Sequence, residues 1–128
     1  MILVIGGAYC GKSHFIKSKY DIEDKDIIDG EELSVHNIEQ YKVINNLEKY
    51  IEKVLSDNDN VNEQLDILLL NLQDSNMIVE MREIGSGIVP IDRFDRLYRE
   101  CVGRFSCAIA KKAEAVYRVV CGLGMKIK

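Results

Sequence analysis

Near the start of the chain stands the sequence Gly6-Gly7-Ala8-Tyr9-Cys10-Gly11-Lys12-Ser13, which fits the pattern G-x-x-x-x-G-K-[ST]. An apolar run, residues 2–5, comes directly before it, and a segment with helical character follows from Lys12 to about Lys19. A strand, a glycine-rich loop and a helix in this order are the setting in which the pattern binds phosphate. The segment therefore predicts a phosphate-binding loop, or P-loop, over residues 6–13.

The chemistry of phosphate binding explains the spacing of these residues. Glycines allow the backbone to curl so that successive N–H groups point inward, and the helix N-terminus adds a partial positive charge. Lys12 is predicted to reach the β- and γ-phosphates, and the Ser13 hydroxyl is predicted to help hold Mg²⁺. We therefore expect all eight residues of the loop to bind a purine nucleoside triphosphate, ATP or GTP, with Mg²⁺. The alternative is a glycine-rich turn that only caps a helix.

Two carboxylates that follow predicted strands are candidates to complete the magnesium site. Asp29 ends a second short run that is predicted to be a strand, Asp26-Ile27-Ile28-Asp29, and Glu83 follows a third predicted strand, residues 77–81. Magnesium in P-loop sites is commonly held by a carboxylate from a neighbouring strand, and we assign this role to Asp29. In the alternative interpretation, Asp29 is a turn residue before Gly30 and Glu83 caps its own loop.

Composition and charge exclude several classes of protein. The 128 residues suffice for one domain with its own core, and a content of 47% apolar and 30% charged residues is ordinary for a globular protein. The longest apolar stretches, around residues 67–70 and 77–79, are too short to span a bilayer. A formal charge of −4 argues against binding to the phosphate backbone of nucleic acids. We predict a single nucleotide-binding domain, residues 1–128, with neither a membrane nor a nucleic acid as partner.

The cysteines and the first residues of the chain bear on its location. Cys10, Cys101, Cys107 and Cys121 include no Cys-x-x-Cys pair, and no nearby histidine completes a metal-ligand spacing. Free thiols are typical of a reducing compartment. The chain is apolar from its first residue, with no basic region before the apolar run, which indicates a buried strand rather than a signal peptide. We expect a cytoplasmic protein.

Strand and helix patterns alternate along the chain. Apolar spacing predicts helix from Glu32, most clearly from Val43 to Leu55, again over residues 61–73, and in a long helix that opens at the N-cap residue Asp92. This alternation predicts an α/β fold in three layers, a mostly parallel sheet with helices on both faces and with binding sites at the carboxyl ends of its strands. The predicted strands are residues 2–5, 26–29, 77–81 and 115–121, the last followed by a Gly-x-Gly turn.

Two further segments are not explained by a generic P-loop fold. They are Glu83-Ile84-Gly85-Ser86-Gly87-Ile88-Val89-Pro90 and the C-terminal residues 113–128, AEAVYRVVCGLGMKIK. With the loop, they resemble the bifunctional adenosylcobinamide kinase / adenosylcobinamide-phosphate guanylyltransferase family of cobalamin biosynthesis, over residues 1–20 and about 77–128. The resemblance implies a RecA-like P-loop NTPase fold, a phosphoryl-transfer site, cobinamide as a substrate and assembly as a homo-oligomer, namely a trimer.

The sequence departs from that family in three places. The family's guanylylated histidine lies in a segment after the second strand, and much of that segment has no counterpart here. His36 is the histidine nearest to that place, but Ser34-Val35-His36-Asn37 does not match the family's pattern. Ser106-Cys107 replaces a common Asn-Gln pair, and Tyr9 replaces a residue that is often basic. These departures leave the guanylyl-transfer half-reaction and the identity of the acceptor open.

Three functions are compatible with these residues. The first is a kinase that transfers the γ-phosphoryl group of ATP or GTP to cobinamide or a related alcohol, with Lys12 stabilising the developing charge and Glu83 orienting or deprotonating the acceptor. The second is a regulatory protein that binds nucleotide without turning it over. The third is guanylyl transfer through His36. We favour the kinase, because its machinery is the part of the family pattern that this sequence retains.

Overall fold

A six-stranded β-sheet with helices packed against it forms the computed structural model, which describes residues 1–57, 60–84 and 92–128. The strands in this described part are β1 (Ile2–Gly6), β2 (Ile27–Asp29), β3 (Val43–Asn45), β4 (Ile78–Arg82), β5 (Ala115–Val120) and β6 (Leu123–Lys126). The α-helices of the same ranges are α1 (Lys12–Tyr20), α2 (Leu47–Asp57), α3 (Val61–Gln73) and α4 (Arg93–Lys112). Two short 3₁₀ helices precede β2 and β3, at Asp24–Asp26 and Ile38–Gln40.

The order of the strands places β1 in the middle of the sheet. The order is β2-β3-β4-β1-β5-β6, and every neighbouring pair is parallel except β5 and β6. At the end of β1, Gly6 is paired with Arg82 of β4 and with Val119 of β5. Because parallel strands end at the same edge of a sheet, the loop after Gly6 meets the last residues of the neighbouring strands there. The mostly parallel α/β sheet predicted from the sequence is confirmed.

Successive residues of the strands face opposite sides of the sheet. Leu3 and Val79 belong to the core cluster that includes residues of α2, α3 and α4. Val4 and Ile78 belong to a second cluster, which includes Ile16 of α1. All five side chains are buried. Helices therefore cover both faces of the sheet, in the three layers that the alternating pattern predicts, and burial of these apolar surfaces is the main force that holds the layers together.

Residues 32–45 differ from the helix that their apolar spacing predicts. Turns and a 3₁₀ helix occupy most of this segment, and Val43 and Ile44 belong to β3, so that the helix begins only at Leu47. Val43 faces the cluster on the α1 side and Ile44 faces the opposite cluster. A short strand that is buried on both faces carries consecutive apolar residues, and this spacing also fits one side of a helix. The helix prediction was wrong here because periodicity cannot separate the two.

The last turn of the chain also lies elsewhere than predicted. β5 and β6 are joined through Cys121 and Gly122, whose φ angles are 51° and 76°, and Gly124 lies inside β6 rather than in the turn. The Phe15 ring of α1 packs directly on the backbone of Gly124, where an added Cβ would come within 2.1 Å of Phe15 Cε2. Gly124 is therefore required by the packing of α1 on the sheet and not by a turn.

The N-cap of α4, the cysteines and the helix lengths can each be compared with the predictions from the sequence. Asp92 is the N-cap of α4, since its Oδ1 accepts hydrogen bonds from the N–H groups of Phe94 at 2.7 Å and Asp95 at 3.4 Å. All four cysteines are free thiols. Within residues 1–57, 60–84 and 92–128, no helix combines the length and the apolar character that crossing a bilayer requires.

We predict that a methyl group at Gly30, which follows β2, destabilises the fold. An added Cβ there would lie 2.2 Å from the backbone oxygen of Asn46 and 3.2 Å from Leu47 Cα. Because backbone atoms cannot move aside as a side chain can, Gly30→Ala should lower the free energy of unfolding by roughly 1–3 kcal/mol. Urea denaturation measures the change.

Gly103→Ala, inside α4, is the matched control, since a Cβ at Gly103 meets nothing within 4 Å. Replacing a helical glycine with alanine should raise the free energy of unfolding by about 0.5–1 kcal/mol. The same loss of stability in both variants would contradict the packing explanation.

Candidate functional site

The loop between β1 and α1 is held in shape by close backbone contacts. An added Cβ at Gly6 would lie 2.6 Å from Cys10 Sγ and 2.7 Å from the backbone oxygen of Val119. Gly11 has a φ of 92°, in the left-handed region that glycine adopts without strain. The N–H of Gly122, in the β5–β6 turn, donates a hydrogen bond to Cys10 O at 2.8 Å. Glycine is therefore needed at positions 6 and 11, and the C-terminal hairpin braces the loop from outside.

The lysine of the loop is buried and folded back across it. Lys12 is 7% exposed, and its Nζ donates a hydrogen bond to Gly7 O at 2.7 Å. Cys10 Sγ lies 4.0 Å from the same Nζ. A buried ammonium group is stable only with polar partners, and the loop provides them from its own backbone. Its positive charge is thus concentrated within the loop that the sequence predicts to bind phosphate.

The start of α1 offers further donors. The N-cap residue is Gly11, which has no side chain to cap the helix, and the first backbone bond of the helix runs from Phe15 N to Gly11 O at 3.0 Å. The N–H groups of residues 12–14 have no acceptor within a helix of this geometry. Unpaired N–H groups and the helix dipole together favour an anion at this end of α1.

A cavity of about 640 Å³ opens at the loop. Its walls come from the loop, from the start of α1, from the end of β3 and the start of α2, and from β4, so that it lies at the carboxyl edge of the sheet. This is the edge at which ligands bind in parallel α/β folds. The lining residues are Ala8, Tyr9, Cys10, Gly11, Lys12, Ser13, His14, Asn45, Asn46, Glu48, Lys49, Glu80 and Arg82.

Glu80, in β4, is the carboxylate that the structure brings to Ser13. Its Oε2 accepts a hydrogen bond from Ser13 Oγ at 3.0 Å, and the residue is 5% exposed. Burial raises the pKa of the Glu80 carboxyl, and the negative charges of Glu48 and Asp29 add to this effect. The hydrogen bond from Ser13 and the charge of Lys12 act in the opposite direction on that pKa.

Glu80 was not among the carboxylates predicted from the sequence, because it lies within a strand and not after one. Glu80 lies inside the apolar run Met77-Ile78-Val79-Glu80-Met81. A signal was present, since a carboxylate within the run of a central strand is costly to bury and is retained where it has a partner or a function.

Asp29 lies at the end of β2, on the far side of β3 from β4. Its carboxylate accepts hydrogen bonds from Asn46 Nδ2 at 2.8 Å and from the N–H of Glu31 at 2.9 Å, and Lys49 Nζ lies 3.8 Å from it. It is not one of the residues that line the cavity. Its charge is near enough to raise the pKa of Glu80. A direct role of Asp29 in metal binding remains a prediction.

Glu83 lies just after β4 and beside the start of the loop. Its N–H donates a hydrogen bond to Gly6 O at 2.8 Å, and its carboxylate pairs with Arg118, whose Nε is 2.9 Å from Oε1. It is not part of the cavity lining, and its role towards an acceptor remains a prediction. Residues 85–90 of the same sequence motif lie outside the described residues.

His36 lies in an exposed turn before the second 3₁₀ helix. Its N–H donates a hydrogen bond to Ser34 Oγ at 3.3 Å. It is not one of the residues that line the cavity at the loop. The structure therefore does not bring His36 to the site formed by the P-loop.

The polar groups next to the loop fit a magnesium ion. Ser13 Oγ and the Glu80 carboxylate are hard oxygen ligands, which Mg²⁺ prefers. Asn45 ends β3, and its buried Oδ1 has no hydrogen-bond partner among the described residues. An unpaired buried oxygen indicates a missing donor or cation. The described residues contain no group of three or more His, Cys, Asp or Glu side chains that could hold a metal. Mg²⁺ in nucleotide sites is usually held by one or two carboxylates, phosphates and water.

Comparison with known proteins gives a family match over most of the chain. A family model described as cobinamide kinase / cobinamide phosphate guanyltransferase matches residues 20–127. The matched range begins after the P-loop, so the loop pattern and the family match rest on different residues.

Two characterised relatives match parts of the chain. The bifunctional adenosylcobalamin biosynthesis protein CobU of Salmonella typhimurium (strain LT2) is 34% identical over 70 residues, which cover 53% of this chain and 39% of that protein. The protein of the same name from Escherichia coli (strain K12) is 40% identical over 52 residues, which cover 41% of this chain and 29% of that protein. Each match thus spans less than half of the relative's own length.

We predict that the Glu80 carboxylate lowers the stability of the protein when no ligand is bound. Because burial raises the pKa of Glu80, the folded state keeps this proton to a higher pH than the unfolded chain. The stability linked to this group is therefore present at acidic pH and is lost as the pH rises through the raised pKa. Glu80→Gln, which stays neutral and can still accept from Ser13, should unfold at a higher urea concentration than the natural protein above that pKa.

The difference between the two proteins should disappear at acidic pH, where Glu80 is protonated. Glu63→Gln, an exposed change on α3, is the control and should leave the pH profile unchanged. A Glu80→Gln variant that is less stable than the natural protein above the raised pKa would contradict the prediction.

Proposed function

Because the chain belongs to the cobinamide kinase / cobinamide phosphate guanyltransferase family, we propose that it is a kinase of cobalamin biosynthesis. On this proposal it transfers the γ-phosphoryl group of ATP or GTP to the hydroxyl group of cobinamide or of a related alcohol. The observation that carries the proposal is the P-loop with its buried Lys12 and with Ser13 hydrogen-bonded to Glu80, facing a cavity of about 640 Å³. That cavity is large enough for the phosphates of a nucleotide and part of its nucleoside.

The reaction would be an in-line displacement at the γ-phosphorus. A bond forms between the acceptor oxygen and phosphorus, the bond to the β–γ bridging oxygen breaks, and the acceptor's proton is released. Catalysis of this reaction depends mainly on positioning and on neutralising the phosphate charge. The N–H groups at the start of α1 would hold the phosphates, and Lys12 would exchange its contact with Gly7 O for phosphate oxygens.

Magnesium would neutralise the triphosphate when bound, and Ser13, Glu80 and Asn45 are the residues that we assign to hold it. Asp29 stays a candidate for the same site through its charge. Glu83 is proposed to orient the acceptor hydroxyl or to accept its proton, and this role is supported by the hydrogen bond that ties its backbone to Gly6 at the start of the loop. To act on an acceptor, the Glu83 carboxylate would have to exchange its contact with Arg118.

Guanylyl transfer through His36 is not part of this proposal. His36 is exposed, lies outside the lining of the cavity and is surrounded by residues that do not match the family pattern. The matched relatives, which are named as bifunctional, extend well beyond the matched segments. Assembly as a homo-oligomer, a trimer by the family resemblance, stays a prediction that light scattering can check.

The proposal predicts nucleotide binding that depends on Lys12 and turnover that depends on an acceptor. Isothermal titration with non-hydrolysable ATP and GTP analogues plus Mg²⁺ should show binding, and Lys12→Ala should weaken it by at least about tenfold, since a charge-assisted contact to phosphate is lost. Lys112→Ala, an exposed lysine at the end of α4, is the matched control. Release of ADP or GDP should rise when cobinamide is added.

Glu80→Gln in the same titration distinguishes the contribution of Mg²⁺ to nucleotide binding from the contribution of the phosphate contacts. It should weaken binding when Mg²⁺ is present and have little effect when Mg²⁺ is chelated. Tight nucleotide binding without release of diphosphate in the presence of cobinamide would favour a regulatory protein over the kinase. An acid-labile GMP adduct, detected by mass spectrometry after incubation with GTP and lost in His36→Ala, would restore the guanylyl-transfer function.

A further inference from the structure

We propose that the guanidinium group of Arg82 binds the terminal phosphoryl group of the nucleotide and is the residue that distinguishes a triphosphate from a diphosphate. This inference rests on the proposed function, because it takes the ligand of the P-loop to be a nucleoside triphosphate. Arg82 is the last residue of β4 and is paired in register with Gly6, the first residue of the P-loop. Its side chain is exposed and lines the cavity at the loop.

The backbone of Arg82 is held in place by a buried carboxylate. Glu48, on α2, is 6% exposed, and its Oε2 accepts a hydrogen bond from the N–H of Arg82 at 3.1 Å. A charged acceptor strengthens such a bond, and a buried carboxylate needs the donor. The bond therefore fixes the point from which the arginine side chain extends, while leaving its guanidinium uncommitted.

The charge of Arg82 has no partner among the described residues, unlike the other cations near the loop. Lys12 Nζ donates to Gly7 O at 2.7 Å, and Lys49 Nζ lies 3.8 Å from Asp29. On the other side of the loop, Arg118 is paired with Glu83 at 2.9 Å. Arg82 makes no ion pair or side-chain hydrogen bond within residues 1–57, 60–84 and 92–128. An unpaired arginine at the mouth of a cavity is available to an anionic ligand.

The position of Arg82 suits the group that is transferred rather than the rest of the nucleotide. A second cavity, of about 470 Å³, adjoins the first and shares Glu48, Lys49 and Arg82 with it. A phosphoryl group that passes from a nucleotide in the first cavity to a molecule in the second has to cross this junction. Charge spreads over the equatorial oxygens of the phosphoryl group during transfer, and the planar guanidinium can donate to two of them at once.

Arg82 opposes the negative charges that surround the junction. Burial raises the pKa of Tyr98, which lines the second cavity, and the charges of Glu48 and Glu52 add to this effect while the charge of Arg82 opposes it. Two carboxylates therefore act on this region, and Arg82 offsets them. Removing the arginine would leave Lys49 and Arg99, which also line the second cavity, to oppose these carboxylates, and would make the potential at the proposed phosphoryl group less positive.

The test compares triphosphate and diphosphate binding in variants of Arg82. The natural protein, Arg82→Ala and Arg82→Lys are titrated calorimetrically with the non-hydrolysable triphosphate and with the diphosphate of the same nucleoside, each with Mg²⁺. We expect Arg82→Ala to lose about tenfold or more in affinity for the triphosphate, as the loss of a charge-assisted contact implies, and to keep its affinity for the diphosphate within about twofold. Arg82→Lys should recover part of the loss, because it restores the charge but not the two-point contact.

Arg96→Ala is the matched control, since Arg96 is an exposed arginine of α4 that lines neither cavity. Equal loss of both nucleotides in Arg82→Ala, or no loss of either, would overturn the inference. If Lys12→Ala abolishes binding while Arg82→Ala leaves the triphosphate preference unchanged, this inference fails and the proposed function stands. If the natural protein binds neither nucleotide, both fail. Thermal unfolding of each variant verifies that the exposed substitution leaves the fold intact.

Discussion

The parallel pairing of β1 with β4 on one side and β5 on the other is the constraint on which the rest of the structure depends. This pairing brings Gly6, Arg82 and Val119 to one level at the carboxyl edge of the sheet. The space at that level is so limited that Gly6 has no room for a side chain beside Cys10 Sγ and the oxygen of Val119. From this level the chain continues into the loop and then into α1. Lys12, Ser13, Glu80 and Arg82 are placed by this edge, the first two where the loop enters α1 and the other two on β4 beside it.

Several buried polar groups of the candidate site lower the stability of the fold. Lys12 and Glu80 are charged groups with little exposure to water, and Asn45 Oδ1 is buried without a partner in the described part of the chain. Each of these features opposes folding. A fold that needed only a stable core would carry apolar residues at such positions. Several buried polar or charged groups at one edge of a sheet are typical of a site whose ligand supplies the partners that these groups lack. Phosphates with Mg²⁺ would supply those partners here.

The family match and the loop support the same conclusion from different residues. The match covers residues 20–127 and leaves the P-loop outside its range, whereas the loop is identified by its own pattern and by its geometry. Both support the proposed nucleotide-binding role in cobalamin biosynthesis, and they do so independently. The acceptor is part of the proposal only, and Ser106-Cys107 and the segment around His36 are places where the sequence departs from the family pattern.

The sequence by itself determined the P-loop, four of the six strands of the described sheet and most of the helices. These features depend on local chemistry: glycine where the backbone bends, apolar runs that need burial, and Asp92 ahead of α4. It did not determine β3, because two apolar residues in a row fit both a short buried strand and a helix. Nor did it indicate that Glu80, rather than a residue at a strand end, would contact Ser13, or that Arg82 would lie unpaired between two cavities. Those contacts join residues far apart in the chain, and they follow from which strands are neighbours and in which register. Tertiary structure alone decides strand order and register, because they arise from the packing of both faces of the sheet at once.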